Sequence, residues 1–227
     1  MMTRRWLPVL TAILAIALLT APATAGRHSW HDDDMIEGSG DIETRNFDLK
    51  AFEAVELEGA MDIEIVFGDR QSVEVTLDDN LFDNLELDVG GKTLTVGWDE
   101  SCDPDGDSVM KITMRKLKAV RIEGAGDIEI RDFDGDDFVY DLFGAGDLDI
   151  DGKVDELDIT LNGAGDVEAK DLEAKHVKVQ VNGVGDVEVT ATESIDARVN
   201  GVGEIEYWGK PDKEKTRVGG IGEIERK

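Results

Sequence analysis

The side chains best able to do chemistry in this sequence are carboxylates, and they arrive in a repeated phrase. It reads "GAGDIEI" at 124–130, then "GAGDLDI" at 144–150, "GAGDVEA" at 163–169, "GVGDVEV" at 183–189, "GVGEIEY" at 201–207 and "GIGEIER" at 220–226. The acid after the second glycine gives one row, Asp127, Asp147, Asp166, Asp186, Glu204 and Glu223. The acid two residues on gives a second row, from Glu129 to Glu225. If the copies stack as coils, neighbours within a row stand ~4.8 Å apart and the rows ~6.7 Å apart. Like charges at that spacing repel by about 0.9 kcal/mol even at the dielectric of water. Solvent, splaying of the side chains or bound cations must offset this. Hard oxygen ligands suit Ca2+, but a flat array supplies few ligands per ion, so only weak Ca2+ binding is expected and no resident cofactor. The competing role for the acids is to keep the surface soluble and to block edge-to-edge aggregation.

Other candidate chemistry is sparse. A start at Gly26 would expose Gly26-Arg27-His28, whose amine, amide nitrogens and imidazole form a square-planar set for Cu(II) or Ni(II). The alternative is an accidental histidine in a loose lead. His176 in "KHVKV" is the one histidine inside the repeats, and alternation turns it outward with Val177 inward. The single cysteine, Cys102 in "ESCDPDGD", cannot close an internal disulfide, and adjacent carboxylates disfavour its thiolate. The glycine phrase is not a dinucleotide fingerprint, because a strand continues where that motif opens a helix. Nor does its acid position match the calcium-binding nonapeptide. No catalytic residues are assigned.

These residues are positioned by the elements the repeat builds. The first glycines fall at 124, 144, 163, 183, 201 and 220, and earlier copies stand at 38–44 ("GSGDIET") and 59–65 ("GAMDIEI"). Val120, Ile122, Gly124, Gly126, Ile128 and Ile130 share one face, and Arg121, Glu123, Ala125, Asp127 and Glu129 the other. Such alternation marks half-buried strands. Two glycines between apolar flanks mark a bend with no room for an inward side chain. Each period therefore reads as strand, glycine corner, strand and turn, and stacked periods make a parallel β-solenoid. An antiparallel meander is the competing reading, since "NG" at 162–163, 182–183 and 200–201 is also a hairpin signal. Residues 66–116 are less regular and read as early coils of the same solenoid carrying an insertion, with a surface loop near 98–108.

The chain opens "MMTRRWLPVLTAILAIALLTAPATAG", with Arg4 and Arg5 before an apolar run and an Ala-x-Ala site. This describes a secretory signal peptide, 1–25, ahead of a flexible lead, 26–37, and one solenoid domain, 38–227. The apolar run is too short for a spanning helix, so no integral membrane segment is expected after cleavage. Against 24 Lys and Arg stand 52 Asp and Glu, for a formal charge of −28. Such a surface repels nucleic acid and attracts cations and basic partners.

"FDLKAFEAVELEGAMDIEIVFGDRQSVEVTLDDNLFDNLELDVGGKTLTV", then "MKITMRKLKAVRIEGAGDIEI" and the later G-x-G-[DE] phrases, resembles the putative auto-transporter adhesin, head GIN domain family, over about 40–225. The resemblance implies an all-β fold, a right-handed parallel β-helix with coils of about 18–21 residues, and brings no established catalytic residues. It implies an exported bacterial protein of unknown molecular activity, with adhesion in the family's name; a non-enzymatic binding or adhesion module is expected, its ligand an envelope or extracellular molecule, a glycan or a basic protein. An autotransporter passenger precedes a membrane barrel, whereas "GEIERK" closes this sequence inside a repeat. A periplasmic location is therefore expected alongside the cell surface. Two alternatives share the scaffold: a carbohydrate-active enzyme, and a structural solenoid that assembles end to end rather than staying a monomer.

Overall fold

The computed structural model describes residues 35–227. The signal peptide 1–25 and the proposed Gly26–His28 metal site lie outside the described residues. The remainder is built almost wholly of strands, fifteen of them in one continuous sheet that winds into stacked coils. It is a parallel β-solenoid of about five turns. The meander reading fails because strands joined through the corners pair in parallel. Ile128–Leu142 lies on Leu148–Leu161, which lies on Val167–Val181, which lies on Val187–Val199.

Each of these long strands carries at least one register irregularity along its length. The bend in Ile128–Leu142 falls at Asp132, whose φ is 55°, and the pairing register shifts between Ile130 and Phe133. Register elsewhere stacks like on like. One core column runs Leu57, Ile122, Leu142, Leu161, Val181 and Val199. A second runs Ile63, Ile128, Leu148, Val167, Val187 and Ile205. All of these are buried, which is what a period of two predicts when one face of every strand points inward.

The glycine corners join the sides. Ala60, Ala125, Ala145, Ala164, Val184, Val202 and Ile221, the middle residues of the phrases, bridge in parallel one after another. The glycines are required for a different reason from the inward crowding that parity suggests. A Cβ on Gly144 would overlap the carbonyl oxygen of Gly124, and one on Gly126, at φ 150°, would overlap that of Met61. The obstacle lies along the stacking axis, in the backbone of the coil before.

The early chain differs from the sequence expectation. The phrases at 59 and 124 are not separated by missing coils but are direct neighbours, with Ala60 bridged to Ala125. Ala54–Leu57 pairs with Ala119–Ile122 on one side and with Thr93–Trp98 on the other. Asp62–Phe67 likewise has Val109–Met114 on its far side. Residues 68–118 thus fold back beyond the coil that precedes them. Past this layer the pairing turns antiparallel, with Leu85–Gly90 on Thr93–Trp98, Ser72–Asp78 on Val109–Met114, and Ile42–Phe47 on Ser72–Asp78. The phrase at 38–44 therefore enters an antiparallel cap and is not a coil corner.

The lead also ends earlier than 37. Ile36–Glu37 pairs with Cys102–Asp103 inside the surface loop. Buried Asp78 accepts hydrogen bonds from the N–H groups of Gly40 at 2.6 Å and Asp105 at 3.1 Å, tying both segments to the cap.

The corner and the core each set a stability outcome. Gly144→Ala should cost about 3 kcal/mol or more in urea unfolding, since neither backbone can retreat without breaking pairs above and below. Ala145→Ser, outward on the same corner, should stay within about 0.5 kcal/mol. Among the described residues the buried Tyr140 hydroxyl has no hydrogen-bond partner, so Tyr140→Phe should stabilise by about 1 kcal/mol. Burial also holds the Tyr140 pKa above its ordinary value, with Asp147 and Asp127 adding to the effect. Above pH ~10 the unfolded tyrosine ionises while the native one keeps its proton, so stability falls as pH rises. Tyr140→Phe should flatten that part of the profile.

Candidate functional site

The first acid row stands where the sequence puts it, on the outside of the corner, and its geometry shows what the aspartates do there. The Asp127 N–H donates to Oδ1 of Asp62 at 2.9 Å, and the Asp147 N–H to Oδ1 of Asp127 at 2.9 Å. The pattern continues from Asp166 to Asp147 at 2.7 Å, Asp186 to Asp166 at 2.8 Å and Glu204 to Asp186 at 2.7 Å. Each aspartate thus satisfies a backbone donor of the next coil that corner geometry leaves outside the strand ladder. Asp62 belongs to this row although its phrase reads "GAMD", without the second glycine. Glu204 and Glu223 occupy the same position at the other end.

The second row is charge-compensated across coils. Arg131 donates to Glu129 at 2.7 Å and, through both terminal nitrogens, to Asp149 at 3.0 and 2.6 Å. Lys170 Nζ lies 3.2 Å from Glu188, and Lys227 Nζ 2.8 Å from Glu206 and 2.6 Å from Glu225. Three carboxylates whose oxygens lie within 4.8 Å of one another do occur among the described residues, but they are Glu56, Glu58 and Glu123, outside both rows. Arg121 sits among them, 3.2 Å from Glu56 and bonded to Glu123 at 2.8 Å.

A second ladder flanks the corner. Asn182 donates from Nδ2 to Oδ1 of Asn162 at 2.9 Å, and Asn200 to Asn182 at 2.8 Å. The "NG" dipeptides are therefore asparagine stacks. Their signal in the sequence was the shared offset before the first glycine rather than the hairpin chemistry of the pair. Cys102 behaves as its neighbours suggest: burial, then Asp99 and Glu100, hold its thiol pKa up.

The feature that periodicity did not reveal is a groove of about 510 Å³ on an outer face. Across its floor, pairing register aligns Glu156, His176, Ser194 and Lys213 from four successive coils. His176 Nδ1 lies 3.0 Å from the Ser194 hydroxyl, and Nε2 lies 3.7 Å from Glu193. The parallel row holds Asp158, Lys178, Asp196 and Lys215, with Lys178 donating to Asp158 at 2.6 Å and Lys215 to Asp196 at 2.9 Å. In both aspartates the other oxygen, Oδ1, is shielded from solvent and has no hydrogen-bond partner among the described residues.

Residues 51–211 match the family described as putative auto-transporter adhesin, head GIN domain. The chain belongs to that family. The matched stretch is narrower than the 40–225 read from the sequence and takes in the corners from Gly59 through Gly201. The chain is also similar to a crystal structure of a putative adhesin from Bacteroides fragilis, at 25% identity and a TM-score of 0.70 over 85% of this chain and 100% of that one. A putative adhesin from Parabacteroides merdae shares 19% identity over 85% of this chain and 99% of that one, with a TM-score of 0.49. No curated protein matches. Among the described residues no helix is long and apolar enough to cross a membrane.

The hydrogen-bonded row predicts an asymmetry between isosteric and truncating changes. Asp147→Asn keeps the Oδ1 acceptor and removes like-charge repulsion, so its melting temperature should equal or exceed that of the parent chain. Asp147→Ala should lose about 1 kcal/mol. CaCl2 and NaCl at matched ionic strength should raise the melting temperature equally if screening is the whole effect. A larger shift with Ca2+ would mark an ion held by the row.

Proposed function

We propose that the protein is an exported, non-enzymatic binding module of the bacterial cell envelope, and that it engages a hydroxyl-rich ligand, a glycan, across the groove over His176 and Ser194. Membership of a family named for adhesion supports a binding role. The observation that carries the ligand class is the set of carboxylate acceptors, Glu156, Asp158 and Asp196, on the groove floor. Sugar hydroxyls both donate and accept, so they can meet the accessible carboxylate oxygens as well as the cationic and hydroxyl groups. Lys178, Lys213, Ser194 and His176 supply complementary donors on the same floor, and the ~4.8 Å coil repeat is a spacing that adjacent hydroxyls of an extended saccharide can follow. Location at the cell surface or in the periplasm follows from the leader and belongs to the same reading.

A second reading rests on the Ser194–His176–Glu193 contacts, which could support nucleophilic hydrolysis of a bound ester. The backbone around Ser194 is taken up by parallel pairing with the strands of His176 and Lys213, leaving the Lys213 side chain as the group to steady an oxyanion. One experiment separates the two. Full-length chain screened on a glycan array, with product analysis of every retained glycan, should give saturable retention without turnover. His176→Ala with Ser194→Ala should weaken retention about tenfold. Turnover, or labelling of Ser194 by a fluorophosphonate, would establish the hydrolase instead.

A further inference from the structure

A second site lies at the capped end of the solenoid, where three turns meet. They are residues 48–53 before Ala54–Leu57, residues 68–71 after Asp62–Phe67, and residues 115–118 after Val109–Met114. Together they enclose a cleft of about 430 Å³ lined by Arg70, Arg115 and Lys116 over Phe52, which is 3% exposed. The cleft is braced. The Gln71 side chain accepts from the Phe52 N–H at 3.1 Å and donates to the Lys50 carbonyl at 3.0 Å, and Arg115 Nε donates to the Asp69 carbonyl.

This place gathers two guanidinium groups, unpaired among the described residues, and a weakly paired lysine in one cleft. With 52 acids to 24 bases, a carboxylate partner is the default. Lys178 has Asp158 at 2.6 Å, Arg131 has Asp149 at 2.6 Å, and Lys175 has Asp155 at 2.6 Å. Among the described residues, Arg70 and Arg115 have no carboxylate within 4.0 Å, and the acid paired with Lys116 is Asp136 at 3.9 Å. Two acids line the same cleft. Glu53 is neutralised by Lys92 at 2.6 Å, and Asp69 offers its backbone carbonyl to Arg115. In the next coil the same vertex carries Asp132, Asp134 and Asp136, so the sign of the charge reverses along the axis. At physiological ionic strength the screening length is about 8 Å. The field in the cleft is therefore set locally, by Arg70, Arg115 and Lys116 against Asp69 and the acids of the next coil, of which Asp136 stands 3.9 Å from Lys116.

We infer that this cleft is an anion site for a compact oxyanion, a phosphate group carried either by a soluble ester or by a lipid headgroup. Arg115 is anchored through Nε and keeps its terminal nitrogens available, Arg70 faces it from the adjoining turn, and Lys116 adds a point charge. Planar guanidinium forks match phosphate oxygens bidentately. The site is separate from the groove and goes beyond the glycan reading.

The test uses full-length chain in parallel titrations. One takes inorganic phosphate, followed by calorimetry against chloride of equal ionic strength. The other takes phosphatidylcholine vesicles doped with phosphatidic acid, followed by sedimentation. Saturable binding in either arm is expected, and the arm identifies the source. Arg70→Gln with Lys116→Gln should weaken it at least about tenfold while leaving the melting temperature and glycan retention unchanged. Arg115 is left in place because it braces the turn. Lys153→Gln, a cation on another part of the surface, should change nothing. Binding in neither arm, binding retained in the double variant, or equal loss in Lys153→Gln would overturn the assignment. Glycan retention reports on the groove alone, so failure here leaves that reading standing.

Discussion

The whole structure depends on how closely one glycine corner lies on the next. At each corner the backbone of a coil sits so near the carbonyl oxygen of the coil before that no Cβ fits between them. Only the matching corner can occupy that place, so glycine stacks on glycine and every coil is locked in phase. Strand pairing alone would tolerate slippage by two residues, because side chains would still alternate correctly. The corner removes that freedom. Columns such as Ile122–Leu142–Leu161 and ladders such as Asn162–Asn182–Asn200 are consequences of the phase it sets.

Phase-locking explains how a chain of charge −28 tolerates rows of acids. At the corner, an aspartate is short enough for Oδ1 to reach the N–H of the next coil. On the flat face, cations from neighbouring positions fill in, as Arg131 does between Glu129 and Asp149. Repulsion within each row is met by a local attraction of similar size, since exposed charged contacts contribute about 1 kcal/mol or less each. In the cleft of Arg70 and Arg115 the local excess is of cations instead.

Much of the fold was legible in the sequence because alternation and glycine spacing are direct images of the coil. The inward set from Val120 to Ile130 and the outward acids stand where parity puts them. The cap was not legible. Its strands alternate like the others, and nothing in "SVEVTL" or "LELDV" says that they run antiparallel or that residues 93–114 fold back behind residues 54–67. That arrangement follows from long-range pairing, to which local pattern is blind. The groove was hidden for a related reason. Glu156, His176, Ser194 and Lys213 differ in type, so no repeat marks them, and only inter-coil register brings them into line. The aspartate row was visible as a row, but its hydrogen-bonding role needed the corner's actual shape.

The coil at 54–67, held between a layer made later at 93–114 and a coil made later still at 119–130, has a kinetic consequence. From residue 128 onward each coil needs only its predecessor, and stacking can proceed as a zipper with modest loop closure at each step. The capped end cannot start that way, since its central coil lacks its second flank until more than fifty further residues have emerged. Closing that interleaved knot of strands is the costly nucleus, and the later coils polymerise from it in one direction only. Unfolding runs the reverse course, so amide exchange protection should grade along the axis, deepest near Ala60 and shallowest towards Glu223.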